Sequence, residues 1–307
     1  MKILGVIIAR TGSKRIPGKA LIEIEGKTVL NHIIDIAKKI TYLNSICITT
    51  TDLDSDKQIV EIAKSEKVDY FCGDSENVLD RIYNAASFFK ADIIVYIGAD
   101  CPLLDPNILN NAIDYFLKSS CDYLNNYDVP SMPEGYDINI LTFKALKVAF
   151  KKAIAPSQRI HPFSYITFHE SDFFTKQFVI KNKNYPKDLG SYHWSLDNLN
   201  DIDFIKKIYH LSKVNNIPIT LENILNFIKL DPELYELNKS LKVKNSSHSF
   251  LNSKSIMDDI INDILYMTSL AQSANNNSNI QSLILYFKEI RLIINKFENI
   301  SQKRKTI

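Results

Sequence analysis

The sequence predicts an α/β fold with a mostly parallel sheet, followed by a helical hairpin. Three observations carry this. Short apolar runs alternate with segments of helical period through the first half of the chain. The first apolar run ends in a basic, glycine-containing loop, at the place where open parallel sheets bind ligands. Beyond residue 254 two amphipathic helical patterns are separated by a polar turn.

The elements follow in order. Residues 4–9 are an apolar run of the kind a buried parallel strand shows. Residues 29–40 repeat apolar side chains at helical spacing through Val29, Ile33, Ile36, Ala37 and Ile40. Strands are predicted at 45–50, 69–72, 93–97 and 123–126, and helices at 56–66, 78–89 and 106–118. Ser75 is read as the cap of the helix at 78, and Asp105-Pro106 as the cap and first position of the next. The second half is less regular. Strands are predicted at 136–140, 177–180 and 192–196, and helices at 143–153, 200–213 and 220–228, with Asn200 or Asp201 capping the helix near 200. Residues 162–168 fit either state. These segments make a domain over 1–240, a polar linker over 241–254 and a helical hairpin over 255–307. The hairpin's apolar residues, Ile284, Phe287, Ile290, Ile294 and Phe297, are expected to dock on the domain or, by preference, on a second copy of the chain, giving a homodimer.

The 307 residues carry a net charge of +2, which argues against a nucleic-acid binder. Cys47, Cys72, Cys101 and Cys121 are widely spaced without a C-x-x-C pair, so reduced thiols are expected rather than a zinc site. No secretory leader is read, and no apolar stretch reaches the ~18 residues of a membrane span. A cytoplasmic, soluble protein is expected, with no membrane partner.

Four segments carry candidate chemistry. The first is Ala9-Arg10-Thr11-Gly12-Ser13-Lys14-Arg15-Ile16-Pro17-Gly18-Lys19. Backbone amides of a tight loop wrap phosphate oxygens, and Arg10, Lys14, Arg15 and Lys19 supply opposing charge. The second is Gly98-Ala99-Asp100-Cys101-Pro102. On the residues alone, Asp100 reads equally as a turn aspartate or as a magnesium ligand, since Mg2+ takes one or two carboxylates with phosphate oxygens and water. The third is His193-Trp194-Ser195-Leu196-Asp197, where Asp197 follows a short strand, precedes a helix and reads locally as a turn aspartate. The fourth is Gly73 to Arg81, where Asp80 and Arg81 read locally as an exposed helix pair.

The composite A-R-x-G-S-K-R-I-P-G-K-x-L resembles the signature loop of the cytidylyltransferases that make CMP-sugars. The acylneuraminate cytidylyltransferases and the spore-coat polysaccharide biosynthesis proteins are the most similar branches. The resemblance covers about residues 1–235. It implies a Rossmann-like nucleotidyltransferase sandwich that transfers CMP from CTP to an acidic sugar of nonulosonic type, or a related small anionic acceptor, releasing pyrophosphate for surface-glycan synthesis. It implies CTP contacts from Ala9, Arg10, Gly12, Ser13, Lys14, Arg15 and Lys19, with Asn77, Asp80 and Arg81 over base and ribose. It implies Mg2+ on Asp100 and Asp197, with Arg10 and Lys19 acting in catalysis. Pro133-Glu134-Gly135-Tyr136-Asp137 and Ser157-Gln158-Arg159-Ile160-His161 resemble acceptor segments, which points to Glu134, Gly135, Asp137, Arg159 and His161. Asn139 stands where the family has an acidic residue. Two rivals remain: a glycosyltransferase consuming a nucleotide sugar, and a silent nucleotide-binding protein.

Overall fold

The computed structural model describes residues 1–13, 15–126, 131–180, 185–186, 189–237, 261–266, 269, 284, 287–292 and 294. The chain opens with β1 (Ile3–Ile8), a small antiparallel hairpin of β2 (Glu23–Ile24) and β3 (Lys27–Thr28), and α1 (Val29–Lys38). Then follow β4 (Ser45–Thr51), α2 (Lys57–Ser65), β5 (Asp69–Gly73), α3 (Val78–Phe88), β6 (Ile93–Gly98), α4 (Pro106–Ser119) and β7 (Tyr123–Asn125). Beyond these come β8 (Asn139–Thr142), α5 (Phe143–Lys152), α6 (Pro156–Ile160), α7 (Ser164–Phe168), β9 (Thr175–Gln177), α8 (Leu199–Asn215), α9 (Leu221–Leu230) and α10 (Glu233–Glu236).

Seven strands form one sheet in the order β5-β4-β1-β6-β8-β7-β9. β5, β4, β1 and β6 are mutually parallel, and β8 runs antiparallel between β6 and β7. Side chains on a strand alternate between faces. Ile3 and Ile7 of β1 therefore join a core with Ile33, Ile48, Leu109 and Phe204, and Leu4 and Val6 join one with Ile82, Leu141, Leu146 and Ile166. Helices thus cover both faces, the expected layering. Register pairs Ile8 with Gly98, so β1 and β6 end side by side and release the basic loop and Asp100 at one edge.

Local corrections have physical causes. The strand predicted at 136–140 begins only at Asn139. Gly135 turns the chain at φ +96°, and the Asn126 side chain occupies the carbonyl of Tyr136 (2.9 Å) and the amide of Ile138 (3.0 Å) in place of a ladder. The strand predicted at 192–196 is a single bridge between Glu134 and His193. The strand predicted at 177–180 lies at Thr175–Gln177, and the ambiguous stretch 162–168 includes α7. Asn77, not Ser75, caps α3, accepting from the Asp80 amide at 3.0 Å. Asn198 caps α8. Asp105 caps α4 as predicted, at 2.9 Å from the Asn107 amide.

Residues 261–266 and 287–292 are helical and rest on α6 and α7. The Ser157 amide and hydroxyl donate to the buried Asp263 carboxylate at 3.1 and 2.7 Å. Glu289 accepts from the Gln158 side chain and lies 3.1 Å from His169 Nε2, and Ile290 packs on Ile154. Ile264, Leu265, Ile284 and Phe287 remain exposed. The predicted linker, the hairpin turn, Phe297 and the basic tail at 301–305 lie outside the described residues. No helix among the described residues is long and apolar enough to cross a membrane.

Candidate active site

β1 feeds Ala9 onto the Thr49 carbonyl (3.1 Å) and then releases the loop. The loop folds on Thr11, whose carbonyl accepts the amides of Ser13 and Gly18, both at 2.8 Å. Gly18 turns the chain at φ +70° into the short 3-10 turn Lys19–Leu21. Asp56, a buried carboxylate just before α2, anchors this fold. It accepts from the Thr11 amide (2.8 Å), the Thr11 hydroxyl (2.5 Å) and the Thr51 hydroxyl (2.5 Å). Burial alone would raise the Asp56 pKa, but these hydrogen bonds outweigh it and hold the carboxyl below its ordinary value.

Lys19 then reaches across the sheet edge. Its Nζ donates to Asp100 Oδ2 at 2.7 Å and to the Leu196 carbonyl at 3.1 Å, and lies 3.4 Å from Asp197 Oδ1. Arg15 donates to the same Asp197 oxygen at 2.7 Å. Burial would lower the Lys19 pKa, but the charges of Asp100 and Asp197 win and raise it. Asp100 is pulled the other way: burial would raise its pKa, and Lys19 holds it below the ordinary carboxylate value. Two aspartates far apart in sequence thus meet on one ammonium group. Gly98 permits this approach, because a Cβ there would stand 2.8 Å from Asp100 Oδ1. The Cys101 thiol is pushed well up by burial and then by Asp100, Asp137 and Asp197, which puts Asp137 within electrostatic reach of the cluster.

A second wall faces the basic loop. Glu134 and His193 pair as a backbone bridge, with Glu134 N donating to Tyr192 O (2.9 Å) and Trp194 N to Glu134 O (2.8 Å). The Leu196 amide crosses to the Asp100 carbonyl at 2.7 Å. Behind Asp197 lies a buried polar cluster. His193 Nδ1 is 2.7 Å from Glu134 Oε2, and Nε2 is 3.2 Å from Asp201 Oδ2. Asp201 Oδ2 also accepts the amides of Asp197 (2.8 Å) and Asn198 (2.7 Å). The Ser195 hydroxyl donates to Asp197 Oδ2 at 2.8 Å.

The remaining predicted residues fall as follows. Arg10 donates to the Ser75 carbonyl at 3.4 Å. Arg81 is fully buried rather than part of an exposed pair; it donates to the carbonyls of Asp74 and Ser75. Its Nε and Nη2 have no hydrogen-bond partner among the described residues. Burial and then the charge of Arg10 lower its pKa. The Asn77 side chain is committed to capping α3. Arg159 donates to the Ala153 carbonyl at 3.3 Å, and the His161 amide closes α6 on Ser157 at 2.8 Å. Lys14 lies outside the described residues. Sequence reasoning did not assign Asp56, His193, Ser195 or Asp201 to the site. For His193, Ser195 and Asp201 the signal in the sequence was the dense run of polar residues around Asp197, and Asp56, far from that run, read as a helix start.

With this geometry, the family described as Cytidylyltransferase matches residues 4–225. The chain belongs to the cytidylyltransferase family. It is 31% identical to an uncharacterised protein of Methanocaldococcus jannaschii over 245 residues, 80% of this chain and 97% of that one. It is 41% identical to the 3-deoxy-manno-octulosonate cytidylyltransferase of Solibacter usitatus over 114 residues, 36% of this chain and 44% of that enzyme. The spore coat polysaccharide biosynthesis protein SpsF of Bacillus subtilis is 22% identical over 75% of this chain and 95% of its own length. A solved cytidylyltransferase from Leptospira borgpetersenii superposes with a TM-score of 0.68 at 26% identity, covering 76% of this chain and 97% of that one. The chain therefore has the Rossmann-like nucleotidyltransferase fold, and its basic loop, Asp100 and Asp197 all lie within the matched span.

Proposed function

We propose that this cytidylyltransferase transfers CMP from CTP to an acidic sugar of nonulosonic type, or a related small anionic acceptor, and releases pyrophosphate. The observation that carries the reading is the meeting of Lys19, Asp100 and Asp197 beside the basic loop. The names of two relatives, one acting on 3-deoxy-manno-octulosonate and one concerned with a coat polysaccharide, support an acidic sugar and a role in surface-glycan synthesis. We place the enzyme in the cytoplasm, where CTP is available.

The chain's own groups have distinct tasks. The Gly12 amide, the Ser13 hydroxyl and the cations Arg10, Lys14, Arg15 and Lys19 bind the triphosphate and offset charge as pyrophosphate departs. Asp80 is assigned to base and ribose, and Asn77 and the buried Arg81 shape that side through the α3 cap and the Asp74 and Ser75 carbonyls. Gly135, Asp137, Arg159 and His161 face the acceptor, and Glu134 supports that side through His193. An acceptor oxygen attacks the α-phosphorus in line with the leaving pyrophosphate, so positioning and electrostatics supply most of the rate. Asp100 and Asp197 are hard oxygen donors that share the Lys19 ammonium, and with Lys19 turned to the triphosphate they would suit Mg2+ completed by phosphate oxygens and water. Bound there, the ion would add Lewis-acid charge at the α-phosphate. The exposed apolar residues of 261–294 support a homodimer built on the hairpin.

Pyrophosphate release with each of the four nucleoside triphosphates, crossed with a panel of acidic sugars, tests the reading. Release with CTP and an acidic sugar is expected. Turnover of a nucleotide sugar to free nucleotide with no pyrophosphate from CTP, or no pyrophosphate with any pair, would remove it.

A further inference from the structure

Both ring nitrogens of His193 face carboxylate oxygens, Glu134 Oε2 and Asp201 Oδ2. Ionised carboxylates only accept hydrogen bonds, so this geometry is satisfied by a ring carrying two protons. The three side chains are almost fully buried, with exposures of 3% for His193, 8% for Glu134 and 1% for Asp201. Glu134 Oε1 and Asp201 Oδ1 make no hydrogen bond among the described residues, which leaves His193 as the main counterweight to two buried negative charges. Asp201 in turn holds the amides of Asp197 and Asn198, and Ser195 holds the far oxygen of the Asp197 carboxylate. Gly135 presses on the same loop: a Cβ there would lie 2.8 Å from the Ser195 amide. These bonds lie outside the strand pairings of the seven-stranded sheet. All of them converge on where the Asp197 carboxylate points.

We propose that His193 is a positioning residue, which clamps Glu134 to Asp201 and through Asp201 and Ser195 fixes the aim of Asp197 toward Lys19 and Asp100. This rests on the assignment of Asp197 to the reaction. Burial would lower the imidazole pKa, but the bonds to Asp201 and Glu134 push it up to about 10, while burial raises the Glu134 carboxyl above its ordinary value against the pull of His193. The partners of metal-ligating and reacting carboxylates hold them in register, and their loss acts on turnover and metal affinity more than on substrate binding.

The test compares His193→Gln, His193→Phe and Ser195→Ala with Thr220→Ala, which removes the α9 cap bond (3.2 Å) away from the site. Thr220→Ala controls for lost stability and keeps wild-type kcat. His193→Phe is expected to lower kcat about 10- to 100-fold, with KM for CTP within about threefold. His193→Gln, which keeps one donor, and Ser195→Ala lose less, so they keep the test alive should the phenylalanine variant not fold. In parallel, Mn2+ is titrated into each protein with CTP present and free ion is followed by electron paramagnetic resonance. Its apparent affinity falls about tenfold in both milder variants and not in the control. Wild-type kcat and Mn2+ affinity in folded His193→Gln would overturn the proposal. So would a raised acceptor KM at unchanged kcat, because His193 would then serve acceptor binding. A wild type that binds Mn2+ with CTP yet releases no pyrophosphate would overturn the reaction assigned above, and the Mn2+ titration would still decide the clamp.

Discussion

The two walls of the site are built on different principles. The wall that carries the basic loop grows from the ends of β1 and β6, which are registered by a backbone ladder, and is fastened by one buried carboxylate, Asp56. The wall that carries Asp197 has almost no ladder. A single bridge joins Glu134 to His193, and the rest is a cluster of buried charges. A ladder spreads its stability over many weak bonds. A buried charge cluster concentrates it in a few groups, and removing one leaves the others uncompensated. Turnover should therefore survive single changes behind the first wall, and should not survive them in the second.

The largest effect should come from the point where the walls meet. Asp100→Asn and Asp197→Asn should each reduce kcat by a factor corresponding to about 3 kcal/mol or more of transition-state stabilisation, with thermal unfolding little changed. Steady-state pyrophosphate release with calorimetry checks both. Near-normal turnover by folded Asp197→Asn would reduce that segment to a helix entry.

A smaller effect separates the walls more sharply. Asp56→Asn weakens the hold on Thr11 and should cost about 1–3 kcal/mol in stability, with a raised KM for CTP and a nearly unchanged kcat. Denaturant unfolding and initial rates would show this. A fall in kcat at constant KM would mean that Asp56 orders more than the phosphate loop.

Opposite pH limits give a third contrast. The Asp56 pKa is below its ordinary value, so its contribution is complete above the unfolded value of 3.8 and is lost as pH falls through the folded one. The His193 pKa is raised, so its contribution is complete below the unfolded value of 6.5 and is lost as pH rises through about 10. The chain's single tryptophan, Trp194, is buried in the second wall and reports on it. Its emission should shift to the red on the alkaline side, before global unfolding. A flat emission profile to pH 11, an estimated end-point about one unit above that transition, would remove the charged clamp.

The smallest catalytic effect should follow loss of the tail. A chain ending at residue 242 should keep CTP-dependent turnover within about threefold, since a two-helix unit contributes mainly through docking. Light scattering on both lengths tests the proposed homodimer, and identical monomeric masses would refute it.

The contrast between the walls also explains what was legible in the sequence. The first wall and its sheet announce themselves through apolar runs of β1, β4 and β6 and through the cations of the loop. Helix periods placed α1 to α5 within a few residues. The second wall has no period to read. Tyr192 to Leu196 has the composition of a strand, yet its amides go to Leu189, Glu134 and Asp100, and the next amide, that of Asp197, goes to Asp201. Tyr136 to Ile138 is diverted by Gly135 and by the Asn126 side chain. Arg81 looked like one half of an exposed pair because its burial depends on the carbonyls of Asp74 and Ser75, which local pattern does not encode. Asp56 was legible as a helix start but not as the anchor of Thr11, a contact across 45 residues. The β2–β3 hairpin was too short to carry any alternation.

The central claim is nucleotidyl transfer at the meeting of the walls, and label position tests it most directly. CTP labelled at the α-phosphate and, separately, at the γ-phosphate is turned over with an acidic-sugar acceptor. The account predicts that the α-label appears in the acceptor product and the γ-label in pyrophosphate, in equal amounts, and that both signals disappear in Asp100→Asn. A γ-label on the acceptor, or full turnover by folded Asp100→Asn, would contradict it.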